Sequence, residues 1–251
     1  GSTFRSHGPP VMRREAPSSE RANITGNRRS CIMSVNIAID GPAGAGKSTI
    51  AKRVARELSF IYVDTGAMYR AIALYLIREE ISAEHPDEVA RALEHIQISI
   101  RYEKSEQQVF LNGDNVSGLS RTEEGGIMAS KAAALGCVRA KLLELQRELA
   151  RTNDVVMDGR DIGTNILPAA RLKIYLTASV ETRAKRRFDE LTSRGMECSL
   201  DEIAEDIRQR DYQDMHREIA PLTQAADAVY LDSSDMTIEE VAARIRSYIQ
   251  K

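Results

Sequence analysis

The chain contains little cysteine. Its 251 residues include three cysteines, Cys31, Cys137 and Cys198, which lie far apart in sequence and form no C-x-x-C pair. This distribution argues against a structural zinc site and against a framework of disulfide bonds. A reducing compartment fits such sparse cysteines best, and we therefore expect a cytoplasmic location.

Long apolar stretches are also missing. Charged residues make up 29% of the chain and interrupt every hydrophobic stretch well before the length needed to cross a bilayer, so no transmembrane helix is expected. With 42% hydrophobic residues, the chain can still bury a substantial core. Its length then favours one elaborated domain over two independent ones.

Neither sign of charge dominates the chain. The formal net charge is −2 at pH 7, from 35 basic and 37 acidic residues. This balance leaves no broad basic surface of the kind that binds a nucleic-acid polymer. Histidine is scarce as well, with four residues, and the sequence reveals no ligand or base partner for any of them. No histidine is therefore assigned a role in metal binding or catalysis.

Residues 1–32 differ in composition from the rest of the chain. They hold three prolines, and six arginines against two glutamates, without apolar periodicity. Such a segment is predicted to be a disordered tail. Gly1-Ser2 resembles a remnant of cloning, so the tail is either an added extension or a native one, and its arginine-rich composition also fits a transit peptide. The folded domain is then expected to span residues 33–251.

A glycine-rich segment follows the first apolar run. Residues 35–39 read as a buried strand, and residues 41–48 match the pattern G-x-x-x-x-G-K-[ST]. In a loop of this kind, backbone N–H groups surround phosphates, the lysine reaches the β- and γ-oxygens, and the serine hydroxyl is available to Mg²⁺. The alternative is an ordinary glycine-rich turn. The pattern predicts a nucleoside triphosphate site formed by Gly41, Pro42, Ala43, Gly44, Ala45, Gly46, Lys47, Ser48 and Thr49.

Apolar runs alternate with helical patterns along the rest of the chain. This alternation is typical of an α/β fold with a parallel sheet between layers of helices. Five parallel strands are predicted, at residues 35–39, 60–64, 155–158, 173–178 and 228–232. Thr237 and Glu240 form a capping-box pattern that opens a last amphipathic helix.

The alternation breaks between about residues 81 and 121. There the segments IQISIRYE and QQVFLNG alternate apolar and polar residues on either side of residues 103–106. Asn112-Gly113-Asp114 supplies the residues of a tight turn. We therefore expect a small inserted antiparallel hairpin or sheet.

Acidic residues end two of the predicted strands, and arginines follow them. Because open α/β sheets bind ligands at the carboxyl ends of their strands, Arg70, which follows Asp64, can hold a phosphate. Asp158 suits Mg²⁺ beside the glycine-rich loop, and Arg160 presents guanidinium donors to phosphate. The alternatives are a solvated helix face for Arg70 and an ordinary strand-to-loop turn for residues 158–164.

A later helix, predicted to start near Ser199, carries Arg210, Asp214 and Arg217 at positions i, i+4 and i+7. This spacing puts one carboxylate between two guanidinium groups on a single face. Surface ion pairing explains the spacing equally well. The same alternative applies to the arginines of the preceding helix, Arg183, Arg186 and Arg187.

Four segments together resemble a known family. They read GPAGAGKST, VDTGAMYRA, VMDGRDIGT and RQRDYQDMHREIAPL, and with this order and separation the chain is similar to the bacterial cytidylate kinases from about Val35 to Ile249. The resemblance implies a three-layer P-loop fold like that of adenylate kinase, with a five-stranded parallel sheet. It also implies a monophosphate-binding insertion at about residues 66–130 and a short lid at about residues 187–198. We expect the protein to be a monomer.

The resemblance further implies roles for the residues that match the family's motifs. The acceptor monophosphate is expected at Thr65, Arg70, Arg160 and Arg217. The cytosine base is expected at Ser130, Arg139 and Asp161, and the sugar at Arg210 and Asp214. Lys47, Arg160 and Arg217 are the expected catalytic residues, with Ser48 and Asp158 as Mg²⁺ ligands. The segment before Arg139 departs from the family, which commonly has a proline and a basic residue there.

The implied reaction is transfer of the γ-phosphoryl group of ATP to CMP or dCMP. Catalysis would rest on positioning and charge stabilisation, so no general base is required. One alternative is another small-molecule P-loop kinase, acting on uridylate, adenylate or shikimate. The other is a non-kinase nucleotide-binding protein such as a GTP-binding switch, but its N-K-x-D and D-x-x-G motifs are both absent from the sequence.

Overall fold

The computed structural model describes residues 34–119 and 122–249. The prediction of a disordered tail at residues 1–32 therefore lies outside the described residues. In chain order the elements are β1 (Asn36–Asp40), α1 (Lys47–Leu58), β2 (Ile61–Asp64), α2 (Thr65–Arg78), α3 (Pro86–Leu93), β3 (Ile98–Glu103), β4 (Glu106–Leu111), β5 (Asp114–Asn115), α4 (Glu123–Ala133), α5 (Gly136–Thr152), β6 (Val155–Gly159), a short π-helix (Ile162–Ile166), β7 (Leu172–Thr177), α6 (Val180–Ser193), α7 (Leu200–His216), β8 (Val229–Asp232) and α8 (Ile238–Ile249).

Five strands form a parallel sheet in the order β2-β6-β1-β7-β8, and β3, β4 and β5 form a separate antiparallel sheet. Both sheets confirm the predicted α/β fold with its inserted antiparallel strands. The predicted helix cap is present too, since Thr237 and Glu240 exchange two hydrogen bonds before α8. No helix within the two described ranges combines the length and apolar character needed to cross a bilayer.

Alternation along the strands divides the core into two layers, one on each face of the sheet. In β1, Ala38 packs with the cluster on one face, whereas Ile37 and Ile39 pack with the cluster on the other. This two-residue period arises because successive strand side chains point to opposite faces. Helices α1 and α8 cover the face of Ile37 and Ile39, and α2 and α5 cover the opposite face.

The inserted strands are fastened to the edge of the parallel sheet. On β4, Val109 and Leu111 belong to the same buried cluster as Met68 of α2. Gln107 of β4 accepts a hydrogen bond from the N–H of Asp64 and donates one to its carbonyl, at 3.0 and 3.1 Å. A side-chain amide thus satisfies the backbone of the edge strand β2. The limits of the insertion, at about 66–130, and of the lid, at about 187–198, stay predictions.

The register of the sheet brings three strand ends together. Asp40 of β1 lies opposite Gly159 of β6, and Asp64 of β2 lies opposite Asp158 of β6. The glycine-rich loop after β1, the start of α2 and the segment after β6 therefore meet at one edge. This edge is where parallel α/β sheets place their ligands.

Gly41 allows the chain to leave β1 at this edge. Its φ of +150° is one that side-chain-bearing residues rarely adopt, and a Cβ atom there would lie 1.9 Å from the carbonyl oxygen of Leu176 on β7. Backbone atoms of a central strand cannot move away to relieve such a contact. Only glycine therefore fits at the first position of the loop.

We predict that Gly41→Ala lowers the free energy of unfolding by roughly 3 kcal/mol or more, because it adds this clash to backbone strain. Gly113→Ala is the matched control, since Gly113 also has a positive φ, +93°, but a Cβ atom there has no neighbour within 4 Å. It is expected to cost about 1–2 kcal/mol. Urea unfolding curves compare the two variants, and equal losses would contradict the role given to the contact with Leu176.

Candidate active site

A cavity of about 250 Å³ lies at the carboxyl ends of β1, β2 and β6. The glycine-rich loop forms one wall, and helices α2, α4 and α7 contribute to the others. Every residue predicted to bind the acceptor lines this cavity: Thr65, Arg70, Ser130, Arg139, Arg160, Asp161, Arg210, Asp214 and Arg217. Lys47, Ser48 and Asp158 line it as well. The structure thus brings together residues that are up to 170 positions apart in sequence.

The cavity carries an excess of positive charge. Six of its lining side chains are cationic and four are carboxylates. The cations are Lys47, Arg70, Arg139, Arg160, Arg210 and Arg217, and the carboxylates are Asp64, Asp158, Asp161 and Asp214. An uncompensated excess of cations in a partly buried site favours an anionic ligand.

Three arginines of the cavity also keep hydrogen-bond donors that the described residues leave unused. The Nε atoms of Arg70, Arg139 and Arg210 are buried and have no partner there. Unpaired buried donors are costly, at about 1–3 kcal/mol each. Burial, and then the nearby Arg160 guanidinium, lower the pKa of Arg210. Both observations fit a site in which a bound anion would balance the positive charge and accept hydrogen bonds from the unpaired donors.

Lys47 lies at the floor of the cavity. Its Nζ donates to the carbonyl of Pro42 at 2.7 Å, so the lysine folds back over its own loop. Burial lowers the pKa of Lys47 to about 7, and the Arg160 guanidinium acts in the same direction. A phosphate beside this ammonium would favour its charged form.

Ser48 and Asp158 face each other beside Lys47. The Ser48 hydroxyl donates to Asp158 Oδ2 at 2.8 Å, and the Tyr62 hydroxyl donates to Oδ1 at 3.3 Å. Burial raises the pKa of Asp158 to about 6, and the negative charge of Asp64 adds to this rise. No group of three or more His, Cys, Asp or Glu side chains suited to a metal occurs within residues 34–119 and 122–249. One carboxylate and one hydroxyl nevertheless fit Mg²⁺, which binds through one or two protein oxygens together with phosphates and water.

Two arginine–carboxylate pairs line the walls of the cavity. Arg70 Nη2 lies 3.0 Å from Asp64 Oδ2, and Arg160 Nε lies 2.7 Å from Asp214 Oδ2. Burial disfavours the charged form of Asp214, but Arg160, together with Arg217 and Arg210, holds the pKa of this carboxyl below its usual value. Asp214 is 7% exposed, so the alternative of a surface ion-pair face on α7 is wrong.

Asp161 lies among three donors, at the end of the cavity that Arg139 and Arg217 line and that we call the far end. Its carboxylate is paired with Arg139, accepts from the Asn165 amide at 3.0 Å and lies 3.4 Å from Arg217 Nη2. Arg217 follows the last residue of α7 and also donates through Nε to the Ala220 carbonyl at 2.8 Å. Asp161 and Arg139 together present an acceptor and a donor side by side, as recognition of a heterocyclic base requires.

A second cavity, of about 630 Å³, lies on the other side of the glycine-rich loop. It is lined by residues 44–50, by α6 and by the segment from Ser233 to Val241. Arg186 Nη2 donates to the Ser233 carbonyl at 2.9 Å. Gly44, Lys47 and Ser48 line both cavities, so the two meet at the loop lysine. Gly41 and Pro42 line neither and serve the loop through backbone packing and the Pro42 carbonyl.

An ion pair that sequence reasoning missed contacts the glycine-rich loop. Arg183 of α6 contacts both carboxylate oxygens of Asp211 on α7, at 3.0 and 2.6 Å. The same guanidinium donates to the carbonyl of Ala43 in the loop at 3.0 Å and to that of Ala178 at 2.8 Å. Arg183 is 4% exposed, so the alternative of a solvated face is wrong for this residue. No local pattern in the sequence joins two residues 28 positions apart.

The fold and the two cavities define a P-loop nucleotide-binding protein with a second site for an anionic ligand. Comparison with known sequences identifies the family. The sequence model described as "Cytidylate kinase" matches residues 37–251. The cytidylate kinase of Lactobacillus johnsonii is 49% identical over 219 residues, covering 86% of this chain and 94% of the relative. That of Caldicellulosiruptor saccharolyticus is 46% identical over 217 residues, covering 86% and 96%. The chain therefore belongs to the cytidylate kinase family.

We predict that Asp211→Asn lowers the free energy of unfolding by about 3 kcal/mol or more, because it leaves the buried Arg183 charge without its partner. Asp189→Asn, on the same helix as Arg183, is the matched control. It removes the ion pair with Lys185, in which both side chains are more than half exposed, and should cost less than about 0.5 kcal/mol. Thermal and urea unfolding of both variants provide the comparison. Equal stability would show that the Arg183–Asp211 pair does not support the loop.

Proposed function

We propose that the chain transfers the γ-phosphoryl group of ATP to CMP or dCMP, giving ADP and CDP or dCDP. The observation that carries this proposal is the meeting of two cavities at Lys47 and Ser48. A donor triphosphate in the second cavity and an acceptor in the first would face each other across the loop. Membership of the cytidylate kinase family supports the same reaction.

In this proposal an oxygen of the CMP α-phosphate attacks the γ-phosphorus of ATP. The bond between the γ-phosphorus and the bridging oxygen breaks, and ADP leaves with that electron pair. The attacking oxygen belongs to a phosphate that is already anionic near pH 7, so no base has to remove a proton. The protein then contributes alignment and stabilisation of the charge on the transferring group.

Cations on both sides of the loop would supply that stabilisation. Lys47 addresses the β- and γ-phosphates, and Arg160 and Arg217 face the acceptor phosphate together with Arg70 and Thr65. Ser48 and Asp158 would hold Mg²⁺, which when bound supplies positive charge to the phosphate oxygens. If the hydrogen bond between them breaks, the Ser48 hydroxyl oxygen and Asp158 Oδ2 both become free for this role.

Base recognition would occur at the far end of the first cavity. Cytosine presents an amino donor at N4 and acceptors at N3 and O2. The Asp161 carboxylate and the Ser130 hydroxyl suit the amino group, and the Arg139 guanidinium suits the acceptors. Arg210 and Asp214, which line the same cavity, would contact the sugar. Uracil would instead turn an oxygen toward Asp161 and an N–H toward Arg139, which replaces attraction with repulsion.

The protein is further proposed to act in the cytoplasm and as a monomer. Cys137 and Cys198 are both free thiols, in agreement with a reducing compartment. The chain's nearly balanced charge likewise supports small nucleotides, rather than a nucleic-acid polymer, as its partners.

We predict that the wild-type enzyme strongly prefers CMP and dCMP when ATP is offered with a panel of CMP, dCMP, UMP, AMP and shikimate. A coupled assay of ADP formation measures kcat/KM for each acceptor. In Asp161→Ala, most CMP activity should be lost, and the CMP/UMP ratio should fall by about 100-fold, because a mispaired polar site discriminates far more strongly than shape alone.

The exposed Asp189→Ala variant should keep the wild-type ratio. An unchanged ratio in Asp161→Ala would remove this residue from base recognition. A wild-type preference for UMP, AMP or shikimate would instead replace the proposed reaction with one of the alternative kinases.

We also predict that Lys47→Ala reduces kcat by roughly 10²–10³-fold while changing the affinity for CMP by much less, because the lost ammonium stabilises charge that develops during transfer. Lys52→Ala, on the exposed side of the same helix, is the matched control. Initial rates and calorimetric titration with CMP separate the two effects. Near-normal turnover in Lys47→Ala would exclude this loop from the chemistry.

A further inference from the structure

Asp40, the last residue of β1, lies behind the first cavity and is not among the residues that line it. Its side chain is almost completely buried, with 5% of the residue exposed. Oδ1 accepts a hydrogen bond from the N–H of Ile162 at 2.8 Å, and Oδ2 accepts one from the N–H of Gly163 at 2.7 Å. Asp40 therefore contacts the backbone of a turn 122 positions away in sequence.

The two N–H groups begin the π-helix Ile162–Ile166. The first N–H groups of any helix have no partner within it and need an acceptor from elsewhere. The Asp40 carboxylate provides that acceptor for two of them at once, with an oxygen for each. It thus caps this helix from a neighbouring strand.

The cap holds the residue that precedes the helix. Asp161 is the N-cap residue, and its carbonyl accepts from the N–H groups of Asn165 and Ile166 at 2.9 and 3.2 Å. Its side chain is the one paired with Arg139 at the far end of the cavity. A rotation of the turn would therefore move the Asp161 carboxylate away from Arg139.

Keeping a carboxylate at this position is costly. Burial raises the pKa of Asp40 to about 6, the two backbone hydrogen bonds oppose the rise, and the negative charge of Asp161 adds to it. In the part of the chain that the structure describes, the hydrogen-bond partners of the Asp40 carboxylate are these two N–H groups. An apolar residue would avoid the desolvation cost but would leave both N–H groups unpaired. The carboxylate therefore holds the turn in position through these two hydrogen bonds.

We infer that Asp40 is a positioning residue that fixes the Asp161 carboxylate and thereby determines how strongly the enzyme distinguishes cytosine from uracil. This inference rests on the proposed function, since it names a determinant of specificity for that same site. Asp40 lines neither cavity and acts through the backbone of Ile162 and Gly163.

The test is Asp40→Asn. The amide keeps one acceptor oxygen and turns an NH₂ group toward a backbone N–H, so one of the two hydrogen bonds is lost. We expect the CMP/UMP ratio of kcat/KM to fall about tenfold and the KM for CMP to rise, with the KM for ATP close to wild type. Asp154→Asn is the matched control, because the exposed Asp154 side chain accepts from the Val35 N–H at the opposite end of β1.

A double-mutant cycle separates positioning from general destabilisation. If Asp40 acts through Asp161, adding Asp40→Asn to Asp161→Ala should leave the CMP/UMP ratio of that variant unchanged. A further fall in the CMP/UMP ratio of the double variant would overturn the inference. So would an equal rise of the KM for CMP and the KM for ATP in Asp40→Asn alone. So would an unchanged ratio in Asp40→Asn.

Gly163→Ala provides a second variant if Asp40→Asn does not fold. Its Cβ would lie 3.3 Å from Asp40 Oδ2 and 3.1 Å from the Lys173 side chain, so these neighbours and the capped turn must move apart by a few tenths of an ångström while both N–H groups remain. The same loss of discrimination is expected, and a wild-type ratio would overturn the inference. Wild-type protein that fails to phosphorylate CMP would overturn the proposed function, whereas normal wild-type activity with unchanged variants would overturn the inference alone.

Discussion

The arrangement of this site depends on offsetting the repulsion between its positively charged side chains. Six cations share a cavity of about 250 Å³, and side chains so close together would separate unless anions lay between them. Three of the arginines are therefore each paired with a carboxylate: Arg70 with Asp64, Arg139 with Asp161 and Arg160 with Asp214. The carboxylates keep the cations in place but do not neutralise all of them.

This arrangement depends on the parallel sheet beneath it. Because β1, β2 and β6 run side by side in the same direction, Asp64 and Asp158 lie level with each other near the carboxyl ends of their strands, and Asp40 lies one residue further along. Each acid then takes a different partner. Asp64 caps α2 through the N–H of Ala67, Asp158 accepts from Ser48, and Asp40 caps the π-helix. Three acids near the carboxyl ends of neighbouring strands thus organise three different segments.

Much of this fold can be predicted from the sequence, because the signals are local. The strands, the glycine-rich loop, the antiparallel insertion and the capping box at Thr237 all depend on residues within a few positions of one another. The lining of the first cavity is predictable for another reason. Resemblance to the cytidylate kinases assigns Ser130, Arg139 and Arg217 to one acceptor, and all three side chains line that cavity.

The contacts that sequence reasoning missed depend on tertiary packing. Arg183 meets Asp211 only because α6 and α7 lie against each other, and Asp40 meets Gly163 only because β1 and β6 are neighbours. An arginine on a helix and an aspartate at a strand end each have an ordinary local explanation. The pairing itself leaves no periodic trace, so no pattern within one segment could reveal it.

Two acids three positions apart on α7 have a mechanical consequence. Asp211 contacts Arg183, which also contacts the carbonyl of Ala43 in the glycine-rich loop, while Asp214 contacts Arg160 in the wall of the first cavity. A rotation of α7 about its own axis would strain both ion pairs at once. Because α7 carries both acids, a displacement of the helix at one ion pair would also act on the other, which links the glycine-rich loop to the wall of the first cavity.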